Sequence, residues 1–321
     1  MGRRGQVAPN QALQRTPARS GGRLLGVPLG AGAAELGRSA TGGFSHLSEL
    51  WDVIVVWATQ PTPVSVAGGF VACAVVFGSL EWCFGSPRPR RRDVRTLATD
   101  ITFWAVTPLV TKTITYAVLA VVIGFLLGGS LPDTLVGRQP LWLQFLQVAA
   151  LGDLIHYWTH RLFHRPTFWP MHAVHHSPTE LDWLSAMRLH PLNDLATRVC
   201  QALPILAAGY DPKAVMLYVP VVVFWVILSH ADLPWTFGPL RYVLVSPVFH
   251  HWHHSSEAEA IDRNFAGLFS FWDVAFGTYH MPSDRRAEQF GVSGPAPARS
   301  VLGLLWHPVA VWAGRARRRT R

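Results

Sequence analysis

The chain has 321 residues, enough for two soluble domains, but half of it is apolar and only 15% is charged, against about 25% in soluble proteins. A formal charge of +9 would suit nucleic acid, yet no finger, recognition helix or basic patch interleaved with aromatics accompanies it. Nucleic acid is therefore set aside as a partner, and the composition points to a protein embedded in a membrane.

Residues 1 to 45 are rich in Gly, Arg, Ala, Pro and Ser without hydrophobic period, and read as a disordered tail. The stretch from Leu24 to Leu36 is too broken by Gly and Pro for a signal-peptide core. Residues 46 to 150 read as transmembrane helices. No charge occurs from Val53 to Leu80, and the part after Pro63 is just long enough to cross the hydrocarbon core at a tilt. The arginines from Arg88 to Arg95 follow it. A second run, Thr113 to Gly129, is preceded by Lys112, whose stem is able to snorkel. Residues 96 to 111 either lie in the interface or extend that helix. A third run, Leu141 to Ile155, leads into the first histidines. If the arginine loop is cytoplasmic, the third run delivers His156 to the cytoplasmic face.

Residues 151 to 282 read as the catalytic region. Within it, about 195 to 229, a helical hairpin turns at Asp211-Pro212-Lys213. Its first arm, Val199 to Gly209, is too short to cross alone, so the pair is expected to dip into the bilayer and return. Residues 283 to 321 form a C-terminal segment in which Val301 to Ala313 suits an interfacial helix before a basic tail. The three cysteines, Cys73, Cys83 and Cys200, are too scattered for disulfides or a thiolate metal site.

Twelve of the 15 histidines lie between positions 156 and 254, and their spacing carries the chemistry: His156-x3-His160-x3-His164, then His172-x2-His175-His176, then His250-His251-x-His253-His254. Residues four apart share a helix face. Two H-x2-HH triplets and a helical pair supply about eight imidazoles, whereas one tetrahedral zinc takes four protein ligands, so the count argues for two metals. Imidazole suits iron, zinc, copper and nickel alike. There is no H-E-x-x-H of a zinc hydrolase and no E-x-x-H pair of a carboxylate-bridged bundle.

The residues around these clusters resemble the fatty acid hydroxylase and sterol desaturase superfamily, from Asp153 to Pro282. The resemblance rests on Asp153-x3-Tyr157-Trp158-x-His160-Arg161-x2-His164, Trp169-x2-His172-x2-His175-His176-Ser177, Arg188-x-His190-Pro191 and Ser229-His230-Ala231-Asp232. It continues with Ser246-Pro247-x2-His250-x2-His253-His254-Ser255, Asn264-Phe265-x-Gly267 and Trp272-Asp273-x2-Phe276-Gly277-Thr278-Tyr279. It implies an all-α integral membrane protein, with about four transmembrane or re-entrant helices carrying a cytoplasmic histidine-box di-metal domain. The implied ligands are His160, His164, His172, His175, His176, His250, His253 and His254, with His230 a ninth. His156 is implied to stand outside the ligand set, His190 to be either a ligand or a partner of one, and His251 to point away. Asp232 replaces an asparagine often found there, which leaves the partner of His230 open.

Asp153, Asp182, Asp194 and Asp273 are candidates to accept the second ring N–H of ligating histidines, although Asp182 reads better as a solvated or capping aspartate. Trp272, Phe276 and Tyr279 line a lipid tunnel or form an interfacial belt. The implied cofactor is two iron ions, with zinc or another metal able to replace them on purification. The implied reaction is O2-dependent hydroxylation or desaturation of a lipid. No G-x-G-x-x-G, C-x-x-C-H or iron–sulfur cysteine pattern is present, so electrons are expected from an external, NAD(P)H-fed cytochrome b5-like or ferredoxin donor. Two rivals are a zinc-dependent membrane hydrolase, which lacks a glutamate in any histidine box, and a non-enzymatic metal transporter or sensor, whose histidines would follow the spans.

Overall fold

The computed structural model describes residues 62–86, 93–127, 131–292 and 297–319. The expected N-terminal tail, residues 1–45, and Arg88 to Arg92 lie outside the described residues. Among those described the protein is all-helical, apart from one isolated bridge between Ser255 and Phe290.

Helix α1 (Pro63–Phe84) starts at a capping box in which Thr62 and Ser65 satisfy each other's backbone N–H, with proline at the first helical position. Asp93 caps α2 (Val94–Val106), which passes through a π turn (Thr107–Thr111) into α3 (Lys112–Leu127). Pro108 has no N–H to donate, and the widened turn accommodates the missing bond without ending the helix. Residues 96 to 111 thus extend the second span.

Among the described residues, three helices are long and apolar enough to cross a membrane: Pro63–Phe84, Val94–Val122 and Pro212–His230. Only 11% of the α1 window is buried inside the protein, so Val64, Val71, Val75 and Val76 project outward and need lipid around them. The protein is therefore a membrane protein.

Helix α4 (Leu141–Phe163) carries the third apolar run straight into the first histidine pair. After the short α5 (Trp169–His172) and a 3-10 turn (Trp183–Met187) capped by Asp182, α6 (Pro191–Ala207) and α7 (Pro212–His230) occupy the stretch expected as a hairpin, both arms packing against α4 and making few contacts with each other. Its first arm is longer than the apolar run, because the polar turn at its start is buried: Asn193 and Asp194 both lie inside. Asp211 caps α7, and Ser246 with Pro247 starts α8 (Pro247–His254), whose eight residues include four histidines. Two further elements complete the chain, α9 (Phe271–Ala275) and α10 (Val301–Arg319), the latter longer than the expected apolar stretch.

Polar bonds lock the spans to the loops. Trp104 donates to the Leu184 carbonyl at 2.9 Å and Thr107 to that of Met187 at 3.1 Å. Glu81 of α1 accepts the N–H groups of Trp183 and Asp232 at 2.9 and 2.8 Å. Asp100 of α2 pairs with Arg188 at 2.6 Å, both buried. Charged side chains at membrane depth persist when paired in this way. Helix α10 packs Leu304 against Phe103 and Val174 and donates from Trp312 to the Thr167 carbonyl at 2.9 Å.

Candidate metal centre

Four helices converge. α4 supplies His160 and, at its C-cap, His164; α5 and the turn after it supply His172, His175 and His176; α7 ends in His230; and α8 supplies His250, His253 and His254. The i, i+4 spacing puts His160 with His164, His172 with His176 and His250 with His254 on common faces. The nine rings separate into two sets: His160, His164, His172, His176 and His253 in one, and His175, His230, His250 and His254 in the other. Within each set the donor atoms all lie within 4.8 Å of one another.

Tautomers follow from the outer partners. Nδ1 of His160 lies 2.7 Å from the Phe265 carbonyl, that of His253 2.8 Å from the Arg263 carbonyl and that of His230 2.7 Å from the Val226 carbonyl. His175 faces the Arg188 carbonyl at 3.3 Å, and His172 the Asn193 side-chain oxygen at 2.9 Å. His164 faces the Asp262 carboxylate at 3.1 Å. An acceptor on Nδ1 requires the hydrogen there, which leaves the lone pair on Nε2.

Those Nε2 atoms point at one another. In the first set His160 and His176 stand 2.9 and 3.1 Å from His172. In the second, His230 stands 3.3 Å from both His175 and His250, and His254 3.1 Å from His250. The Nε2 atoms of His164 and His253 are buried with no hydrogen-bond partner among the described residues. Lone pairs facing lone pairs repel, and a cation between them turns the repulsion into ligation. Nitrogens bound to a metal at about 2.1 Å stand about 3.0–3.4 Å apart on its coordination sphere, the spacing found here. The donor set therefore fits two metal ions.

Burial, and then the neighbouring rings, push His176, His253 and His254 well below the ordinary histidine range. Burial takes His175 down to about 4. Neutral rings at physiological pH are what metal binding requires.

The remaining sequence-derived residues fall elsewhere. His190 is no part of either set. Its Nδ1 accepts the Leu192 N–H at 3.2 Å, capping α6, and its Nε2 donates to the Leu305 carbonyl of α10 at 3.1 Å, so both nitrogens are used. His156 lies tilted against His160 at a ring separation of 5.1 Å, outside both sets. His251 points its Nε2 at the His230 carbonyl, 3.2 Å away. Asp182 caps its 3-10 turn, and Asp194 pairs with Arg198 at 2.9 Å.

Asp153 and Asp273 accept no ring N–H; they brace the loop beneath the centre. Asp153, buried, accepts the N–H groups of Gly267, Leu268 and Phe269 at 3.0, 2.8 and 2.7 Å. Asp273 accepts those of Phe265 and Ala266 at 2.7 and 2.8 Å and the Thr278 hydroxyl at 2.6 Å. The same loop presents the Phe265 carbonyl to His160. Gly267 lets the loop close on α4, since a Cβ there would stand 2.9 Å from the His156 ring. Asp232 accepts the Ser86 N–H at 3.2 Å, and His230 takes its partner from its own helix.

Sequence reasoning missed Asn193 and Asp262 as ring partners. Asn193 sits three residues after His190, on the first turn of α6, a position that a search restricted to carboxylates passes over. Of the three aromatics expected at a tunnel or belt, Phe276 is exposed beside Trp158, their rings 5.0 Å apart, while Trp272 and Tyr279 pack against the core around Tyr157 and Phe249. Two cavities reach the centre. One of about 90 Å³ is lined by Arg161, His164, Arg165, Asp262 and Phe265. The other, of about 310 Å³, touches His164, His176 and His253.

Comparison with known proteins agrees with the geometry. The fatty acid hydroxylase family model matches residues 145–278, a stretch that contains all nine converging histidines. An ornithine lipid hydroxylase of Rhizobium tropici is 28% identical over 53% of this chain and 52% of its own length. An alkylglycerol monooxygenase of Danio rerio is 30% identical over 45% of the chain and 31% of its own. A C-4 methylsterol oxidase of Schizosaccharomyces pombe is 33% identical over 42% and 48%. The chain thus spans about half or less of the length of these relatives. No solved structure matches it. Residues 145–278, with their two histidine sets, are thus similar to the fatty acid hydroxylase family.

Proposed function

We propose that the chain is a membrane-bound di-iron oxygenase that hydroxylates or desaturates a membrane lipid with O2 and external electrons. The observation that carries this reading is the pair of converging, neutral Nε2 sets inside a domain whose relatives are named for hydroxylating or oxidising lipids. When bound, two redox-active irons supply the activation of O2 and the removal of hydrogen from an unactivated C–H bond. The nine histidines would hold them, five on one ion and four on the other.

The protein's own contribution is geometry and dryness. Carbonyl, amide and carboxylate partners on Nδ1 fix the direction of His160, His164, His172, His175, His230 and His253 before metal arrives, so little reorganisation of these rings is left to do. Asp153 and Asp273 brace the loop that carries the Phe265 carbonyl. Tyr157, Phe249, Trp252 and Phe265, all buried, keep bulk water from that side. The relatives are named for an ornithine lipid, an alkylglycerol and a methylsterol, and we assign the substrate to lipids of this kind, which carry a polar end.

Electrons come from a cytochrome b5-like or ferredoxin donor fed by NAD(P)H. Arg161, Arg165 and Arg315 line the cavities that reach His164, a basic rim suited to an acidic partner. The arginine-rich segment between α1 and α2 supports a cytoplasmic position for this face. The test is expression in a host membrane under 18O2, with lipid mass spectrometry of wild type and His172→Ala. The expected result is a lipid that has gained one labelled oxygen or lost two hydrogens, absent with the variant. Identical lipidomes from the two proteins would overturn the reading.

A further inference from the structure

The outer partners of the rings differ in charge. His160, His175, His230 and His253 face backbone carbonyls and His172 faces an amide oxygen, all neutral. His164 alone among these rings faces a carboxylate, Asp262 Oδ1 at 3.1 Å. It is also the one member of the two sets that is not fully buried. Both cavities at the centre are lined by His164 and Asp262, so this pair stands where water reaches the five-histidine set.

The backbone goes out of its way to bring Asp262 there. Its φ is 58°, in the left-handed region, and Asn264 two residues on has φ 59°. Non-glycine residues occupy that region at a cost, Asn and Asp the least. The turn is held from outside: Asn264 donates to the Phe249 carbonyl at 2.9 Å and to the His280 carbonyl at 2.6 Å, and accepts the His280 N–H at 2.7 Å. A locally unfavourable backbone that its surroundings over-determine points to a role for the side chain it displays.

A neutral partner fixes a ring's direction, whereas an anionic one also raises the basicity of its far nitrogen. We propose that Asp262 is a positioning residue for the five-histidine centre: its carboxylate holds His164 in place and strengthens its Nε2 as a donor, so that this centre alone depends on a charge outside the ligand set to retain its metal. The inference rests on the two-metal reading above. It predicts two unequal sites, one tuned at a water-reachable mouth and one enclosed among neutral partners.

Three variants separate charge, hydrogen bond and backbone. Asp262→Asn keeps an acceptor and tolerates the left-handed backbone but loses the charge. Asp262→Gly relaxes the backbone and removes the acceptor, and Asp262→Glu keeps the charge on a longer stem. Purified protein is loaded anaerobically with Fe2+, and retained iron is counted against a graded chelator.

The expected result is that one of two ions is released at several-fold lower chelator in Asp262→Asn and at about 10–100-fold lower in Asp262→Gly, with partial recovery in Asp262→Glu. The second ion is unchanged. In a His230→Ala or His250→Ala background, which leaves the five-histidine set intact, the remaining ion shows the same ordered shifts. Release of both ions shifting together, or no shift in Asp262→Gly, overturns the proposal, as does a lowered melting temperature with unchanged release. Wild-type protein retaining fewer than two ions overturns the two-metal reading itself.

Discussion

Replacing Asp153 tests whether the loop under the histidines is held from α4. Its carboxylate accepts three backbone N–H groups, two on Oδ1 and one on Oδ2, at 2.7–3.0 Å, from a residue 1% exposed. Charge-assisted bonds of this kind contribute about 1.5–3 kcal/mol each. Asp153→Ala strands all three donors, a loss of about 5 kcal/mol or more, comparable with the whole stability of many domains; that variant is expected not to accumulate. Asp153→Asn keeps an oxygen for Gly267 and Leu268 but turns an NH2 toward the Phe269 N–H, costing about 2–3 kcal/mol. At about 2–4 °C per kcal/mol, thermal unfolding in detergent, followed by tryptophan fluorescence, should fall by about 4–12 °C. Metal content should fall with it, because the Phe265 carbonyl that orients His160 rides on the same loop. An Asn variant that melts with wild type and keeps its full metal would refute the bracing role.

Other perturbations probe different parts of the account. His190→Ala removes the α6 cap and the bond to α10, a loss of about 1–3 kcal/mol, and should leave two ions per chain; loss of an ion by elemental analysis would make His190 a ligand. Arg188→Met removes the guanidinium that pairs with buried Asp100 and should destabilise by about 3–5 kcal/mol, whereas adding Asp100→Leu should restore most of it. A double variant as unstable as the single would show that the pair is not the cause.

The pH dependence has a definite sign. Burial lowers His175 to about 4, below its unfolded value of about 6.5, so the unfolded chain binds more protons between those values and stability falls on acidification through that window. Apo-protein melts at pH 7 and pH 5 check this: a lower melting temperature at pH 5 is expected, and a higher one contradicts the buried neutral rings.

What the sequence made legible was the local part of the site. Ligand pairs four residues apart on α4, on α5 and its following turn, and on α8 are fixed by helix geometry alone, so His160 with His164 and His250 with His254 were readable as pairs. How nine rings divide five and four was not, because His253 and His254, adjacent in sequence, point to opposite sets. The outer partners were the least legible. Asp153 and Asp273 look like ring acceptors by residue type, yet their partners lie in a backbone loop, for Asp153 more than a hundred residues away. Asp262 reaches His164 only through a left-handed turn that no periodicity announces. Apolar runs located the spans but not their ends: α3 continues back through Pro108 into α2, and α6 begins before its apolar run because its polar first turn is buried against the histidines.

Counting metal per chain tests the central claim most directly. Protein purified after anaerobic iron loading is predicted to hold two ions, with one left when either His172 of the first set or His230 of the second is changed to alanine. One ion in wild type, or loss of all metal from either single variant, would contradict two separately held centres.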